Sequence, residues 1–196
     1  MLRRCDALSE EDRRTLLSRA HHAVFETICH GRFPDLPPVV GRLAEAGRVF
    51  VTVSCNGRLR GCVGRTEAAL PLAEAVVQCA ITAASRDPRF NPLCAEEVAG
   101  LEIEISVLSE PRPVRGEDIE PGIHGIVVIR GARRALLLPQ VAVERNWSPI
   151  QFLQAACRKA GLEPDTWRDP ETQLLGFTAE VFSNQDVLVA KESRST

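Results

Sequence analysis

At 196 residues, 44% hydrophobic and 26% charged, the chain is long enough to bury a core, and its composition excludes a disordered or fibrous protein. A formal net charge of -2 and a pI near 6.1 exclude a broad electrostatic attraction to nucleic acid or anionic lipid. With no tyrosine and seven phenylalanines, a base-stacking platform is not expected either, and only the cluster Arg130, Arg133 and Arg134 offers a local basic patch.

The opening Met1-Leu2-Arg3-Arg4-Cys5-Asp6 lacks the apolar stretch of a secretory signal, and no apolar run is long enough to span a bilayer. A cytoplasmic protein with no membrane association is therefore expected. Seven cysteines without a C-x-x-C pair suggest neither a disulfide framework nor a zinc site, so most should be buried thiols.

Ser9 before Glu10-Glu11-Asp12 predicts a capped helix start with acidic residues at the positive end of the dipole. The helix should run to Gly31, with Leu16, Leu17, Ala20, Ala23, Val24 and Ile28 on its core stripe and His21, His22 and His30 on the surface. Phe33-Pro34-Asp35-Leu36-Pro37-Pro38 reads as a connector because its three prolines remove donors and fix φ. Val49 to Cys55 predicts a strand, and Asn56-Gly57 predicts a tight hairpin turn. A two-residue turn would pair Val51 with Cys62, Val53 with Arg60 and Cys55 with Arg58, all on one face. Cys55 and Cys62 would then be about 13 Å apart, too far to share a disulfide.

Pro71 predicts a helix to about Ser85, with Leu72, Ala75, Val76, Cys79 and Ala83 inward. Arg86 to Pro92 ends it as a charged loop. Leu101 to Val107 alternates like a strand with one wet face. Pro111 to Gly122 is a proline- and charge-rich connector, the candidate subdomain boundary at 111–122. Gly125 to Arg130 and Arg134 to Leu138 predict a second hairpin stopped by Pro139. Ser148-Pro149 should open a helix with Ile150, Leu153, Cys157 and Ala160 inward and Gly161 closing it. Gln173 to Ser183 is the last strand, and 184–196 should be a polar tail, frayed from Lys191. Hairpin-linked amphipathic strands interspersed with helices predict an α+β fold with an antiparallel sheet.

Chemistry concentrates in Leu59-Arg60-Gly61-Cys62-Val63-Gly64, which sets a thiol beside a guanidinium between glycines. Cys62 is the candidate nucleophile or adduct-carrying thiol, with Arg60 favouring its thiolate. Gly61 and Gly64 would let a ligand or another backbone approach; otherwise they mark a bulge or a crowded sheet edge. The bland alternative for Cys62 itself is a small residue packed on Val51. Asp87 and Arg89 are candidate binders of a polar substrate, or else they satisfy each other and their own loop. His124, between Gly122 and Gly125, is a candidate general base, or a turn histidine with a backbone hydrogen bond. No P-loop, G-x-G-x-x-G, H-E-x-x-H or G-x-S-x-G is present, and no cofactor or metal is expected.

The segments Leu59 to Gly64, Ala84-Ser85-Arg86-Asp87-Pro88-Arg89-Phe90, Ile105 to Leu108, His124-Gly125-Ile126 and Leu138-Pro139-Gln140-Val141-Ala142 follow the order and spacing of the AMMECR family. Its bacterial and archaeal members are called AmmeMemoRadiSam system protein A. The resemblance spans roughly residues 10 to 183, as a single domain, with Val63 where the familiar motif has isoleucine. It implies two subdomains, the second smaller, with a cleft between them. It also implies a modification pathway shared with a Memo-like protein and a radical SAM protein. Two functions are therefore expected as alternatives: an enzyme or enzyme component whose cleft holds Cys62 and a small substrate, or a non-catalytic adaptor docking onto those partners.

Overall fold

The structure is a computed structural model and describes residues 7–184. Residues 1–6, with Cys5, and residues 185–196 lie outside it, so of the expected tail only Asn184 is described. The chain forms two compact units, one comprising Ala7–Val107 with the chain from Glu180, the other Leu108–Ala179.

In the first unit, helix α1 spans Glu10–His30. Ser9 Oγ accepts the Asp12 N–H at 3.1 Å while the Asp12 carboxylate accepts the Ser9 N–H at 3.1 Å, a reciprocal capping box. Leu16, Leu17, Ala20, Ala23 and Val24 are buried as predicted, Ile28 only partly. Glu26 is buried beside them and ion-paired to Arg32. His21 departs from expectation: it is half-buried, and burial pulls its imidazole below the ordinary value against a hydrogen bond to Asn184.

Strands β1 (Arg48–Cys55) and β2 (Arg58–Arg65) form the first hairpin, with Asn56 at φ 50° and Gly57 at φ 73°, as a type I′ turn requires. The register differs from the simple two-residue prediction. Cys55 pairs with Arg58 and Ser54 with Leu59, but Val53 pairs with Gly61, Thr52 with Cys62 and Val51 with Val63. Arg60 is thus the extra residue of a β-bulge, and every pairing beyond it moves by one. Because strand faces alternate, this slip turns Cys62 off the Val51 face. Val49, Val51, Val53 and Cys55 face the core, whereas Cys62 lies opposite Thr52 on the half-exposed side, so Cys55 and Cys62 do not share a face.

Helix α2 (Leu72–Ser85) packs against α1, β1 and β2, burying Leu72, Ala75, Val76, Cys79 and Ala83. Strand β3 (Leu101–Leu108) alternates only as far as Ile105; from there to Leu108 all residues are buried, Ser106 included. Within this unit the strand order is β2-β1-β3, with β2 at the edge.

In the second unit, the predicted connector contributes the two-residue strand β4 (Arg112–Pro113). Strands β5 (His124–Arg130) and β6 (Arg133–Leu137) form the second hairpin, and β7 (Gln173–Ser183) pairs antiparallel with β4 and β5. Pro139 stops β6 and also starts a short helix that periodicity did not predict, α3 (Pro139–Glu144). Helix α4 (Pro149–Lys159) carries the expected cap at Ser148. Its buried face is Phe152, Leu153, Ala156 and Cys157, whereas Ile150 is 49% exposed, so the stripe is rotated from the predicted one. These residues close a core with Ile119, Ile126, Val128 and Leu137. The fold is α+β with antiparallel pairing and flanking helices, as expected.

Candidate functional site

Edge strand β2 leaves one side of its backbone without a strand partner, and at Cys62 the loop after α2 supplies one. Asp87 Oδ2 accepts the Cys62 N–H at 2.9 Å, and Arg89 Nη2 donates to the Cys62 carbonyl at 3.0 Å. The two side chains join each other through Arg89 Nη2 to Asp87 Oδ2 at 2.6 Å and Arg89 Nε to Oδ1 at 2.9 Å. Asp87 Oδ1 also accepts the Arg89 N–H at 3.1 Å. One carboxylate and one guanidinium therefore hold both polar groups of the Cys62 peptide.

The Asp87 side chain is only 3% exposed, so its ionisation must be offset by partners. The Arg89 hydrogen bonds hold its carboxyl well below the usual carboxylate range, with burial opposing and the N–H groups of Cys62 and Arg89 adding to the effect. In return, the Asp87 carboxylate pushes the Arg89 guanidinium upward. The Arg89 side chain is 57% exposed and lies 5.3 Å over the Phe90 ring.

Cys62 itself is half-buried, and the Thr52 hydroxyl lies 3.4 Å from its sulfur as a donor. Sequence reasoning missed Thr52 because the unbulged register puts Val51 there; a glycine directly after the bulged Arg60 is the one local signal that could have revealed it. Arg60 is turned elsewhere. It forms an ion pair with Glu97 and donates to the Asn91 carbonyl at 3.2 Å. The guanidinium bound to the Cys62 peptide is that of Arg89.

The two glycines meet protein rather than open space. A Cβ on Gly61 would collide with the Ala83 carbonyl of α2, and one on Gly64 with the Phe50 ring. Gly61 thus lets α2 lie directly on the hairpin, which brings the loop at its end to β2. His124 belongs to the other unit, at the start of β5, where its Nδ1 accepts the Glu120 N–H at 3.1 Å.

Burial pushes the Cys79 thiol up to about 11, and Cys94, although exposed, is pushed upward by the Glu96 carboxylate. Among the described residues no group of three or more His, Cys, Asp or Glu side chains is arranged to hold a metal ion, and no helix is long and apolar enough to cross a membrane.

Residues 17–182 match the AMMECR1 family model. A protein of Methanothermobacter thermautotrophicus is 42% identical over 185 residues, covering 89% of this chain and 95% of its own. One of Methanopyrus kandleri is 42% identical over 191 residues, covering 92% of each. A crystal structure of a Pyrococcus horikoshii protein is similar with a TM-score of 0.81 and 38% identity, over 86% of this chain and 89% of that one.

Proposed function

The chain belongs to the AMMECR1 family, and on that premise we propose that it works through the Cys62 thiol, binding or modifying a small substrate. The observation that carries this reading is the Asp87–Arg89 pair. It fixes the Cys62 peptide at both polar groups, while the cysteine is only half-buried and its sulfur has a hydroxyl donor in Thr52.

In an acyl transfer, Cys62 Sγ adds to the acyl carbon, the bond to the leaving group breaks, and the thiol proton departs with the leaving group. The balance closes without an oxidant. Thr52 can donate to the sulfur while it carries negative charge, and the Arg89 cation is held on the Cys62 carbonyl. Asp87 and Arg89 serve in this reading chiefly to position the nucleophile, because their mutual bonds occupy much of their hydrogen-bonding capacity.

The setting we infer is a cytoplasmic modification pathway shared with Memo-like and radical SAM proteins, a reading that rests on the family resemblance alone. The alternative, an adaptor docking onto those partners, is separated by one experiment. Folded protein is treated with iodoacetamide at pH 7 and each cysteine is followed by mass spectrometry. Labelling of Cys62 ahead of Cys94 supports a reactive thiol. If Cys62 remains protected until the protein unfolds, the thiol reading is lost and the adaptor reading takes its place.

A further inference from the structure

The unit Leu108–Ala179 has a pocket of its own, about 570 Å³ in volume and open to solvent, within the size range of small-molecule sites. Ile150 and Leu153 of α4, Leu174 of β7 and Trp167 supply apolar lining. The indole is seated against Gly116, where a Cβ would collide with the ring. The Arg168 guanidinium stacks on the indole, 4.0 Å from the ring centroid.

Charge in the lining is unevenly satisfied. Arg115 is paired with Asp118 at 3.0 Å and Glu117 at 3.2 Å, and Asp169 with Arg130 at 2.7 Å. Among the described residues, the one acidic partner of Arg168 is Asp165, at 3.9 Å, with the two side chains 58% and 64% exposed. Such a pair contributes little in water. Arg168 is thus the least compensated charge in the lining.

We propose that this pocket binds a small amphipathic carboxylate. Its apolar body lies against Trp167, Ile150 and Leu153. Its carboxylate pairs with Arg168, the least compensated cation of the lining. The proposal does not depend on the Cys62 reading, and either can fail alone.

The chain has two tryptophans, Trp147 and Trp167, so the indole N–H region of a ¹⁵N-labelled sample has two signals, assigned with Trp147→Phe. The probes are 3-phenylpropionate and its uncharged amide. The carboxylate should shift the Trp167 signal saturably, with a midpoint at least about tenfold below that of the amide, and Arg168→Gln should remove that preference. The proposal is overturned if the Trp167 signal stays still up to about 10 mM, which corresponds to no useful affinity. It is equally overturned if acid and amide bind alike or if Arg168→Gln leaves the midpoint in place. Iodoacetamide labelling of Cys62 in the same variants should be unchanged, which separates this site from the thiol.

Discussion

Asp87 and Cys62 are joined by a hydrogen bond of 2.9 Å between a buried carboxylate and the backbone N–H of an edge strand, across 25 residues of sequence. Loss of that charge should be felt as lost stability. Asp87→Asn is expected to lower the free energy of unfolding by about 2 kcal/mol, the scale of hydrogen bonds to a charged group, read from urea denaturation at pH 7.

The same carboxyl gives stability a pH dependence with a definite sign. Its folded value lies below the unfolded one, so it contributes fully above the ordinary carboxylate value, near 4, and loses that contribution as pH falls below it. The urea midpoints of the wild type and Asp87→Asn should therefore differ from pH 7 down to about 4 and converge below that value. A gap that stays constant to pH 3 contradicts the assignment.

Thiol reactivity should follow environment rather than exposure alone. Cys62 is expected to react with iodoacetamide first, Cys94 more slowly because Glu96 disfavours its thiolate, and Cys79, 2% exposed and pushed up to about 11, only on unfolding. Cys62→Ser should remove the fastest labelling phase without changing the unfolding midpoint by more than about 1 kcal/mol in energy.

Arg89 and Arg60 should behave differently in the same assay. Arg60 is held by Glu97, whereas Arg89 donates to the Cys62 carbonyl. Arg89→Ala should change the Cys62 labelling rate several-fold, and Arg60→Ala should leave it within about twofold while costing about 1 kcal/mol of stability through the lost Glu97 pair. The reverse order would return the supporting role to Arg60.

The glycines are predicted to rank. Gly61→Ala forces a methyl onto the Ala83 carbonyl, a backbone group that cannot rotate away, and should cost at least about 3 kcal/mol or prevent folding. Gly64→Ala meets the Phe50 ring, which can move, and should cost less. Thermal denaturation of the two variants gives the comparison.

Much of this was legible in the chain because it depends on near neighbours. Ser9 before Glu10-Glu11-Asp12, Asn56-Gly57, Ser148-Pro149 and the period of α2 are local patterns, and each appears where predicted. The six residues of α3 are too few for a helical period to show, and Pro139 signals a strand end as readily as a helix start. On α4, Leu153 and Cys157 are buried as expected, but tertiary packing turns the helix so that Phe152 and Ala156 complete the buried face in place of Ile150.

The hairpin itself was written in its turn residues, but its register was not. A bulge at Arg60 adds one residue to one strand, and since side chains alternate every residue, that single insertion decides which face Cys62 occupies. Short-range chemistry likewise identified Cys62, Asp87 and Arg89 as residues of interest without their relationship. The bulge and the clamp of Asp87 and Arg89 on the Cys62 peptide exist because α2 lies on the hairpin at Gly61 and carries its terminal loop to the open edge of β2. Contacts between segments so distant in sequence are selected by packing and by the need to satisfy backbone groups, and these act only once the chain has folded.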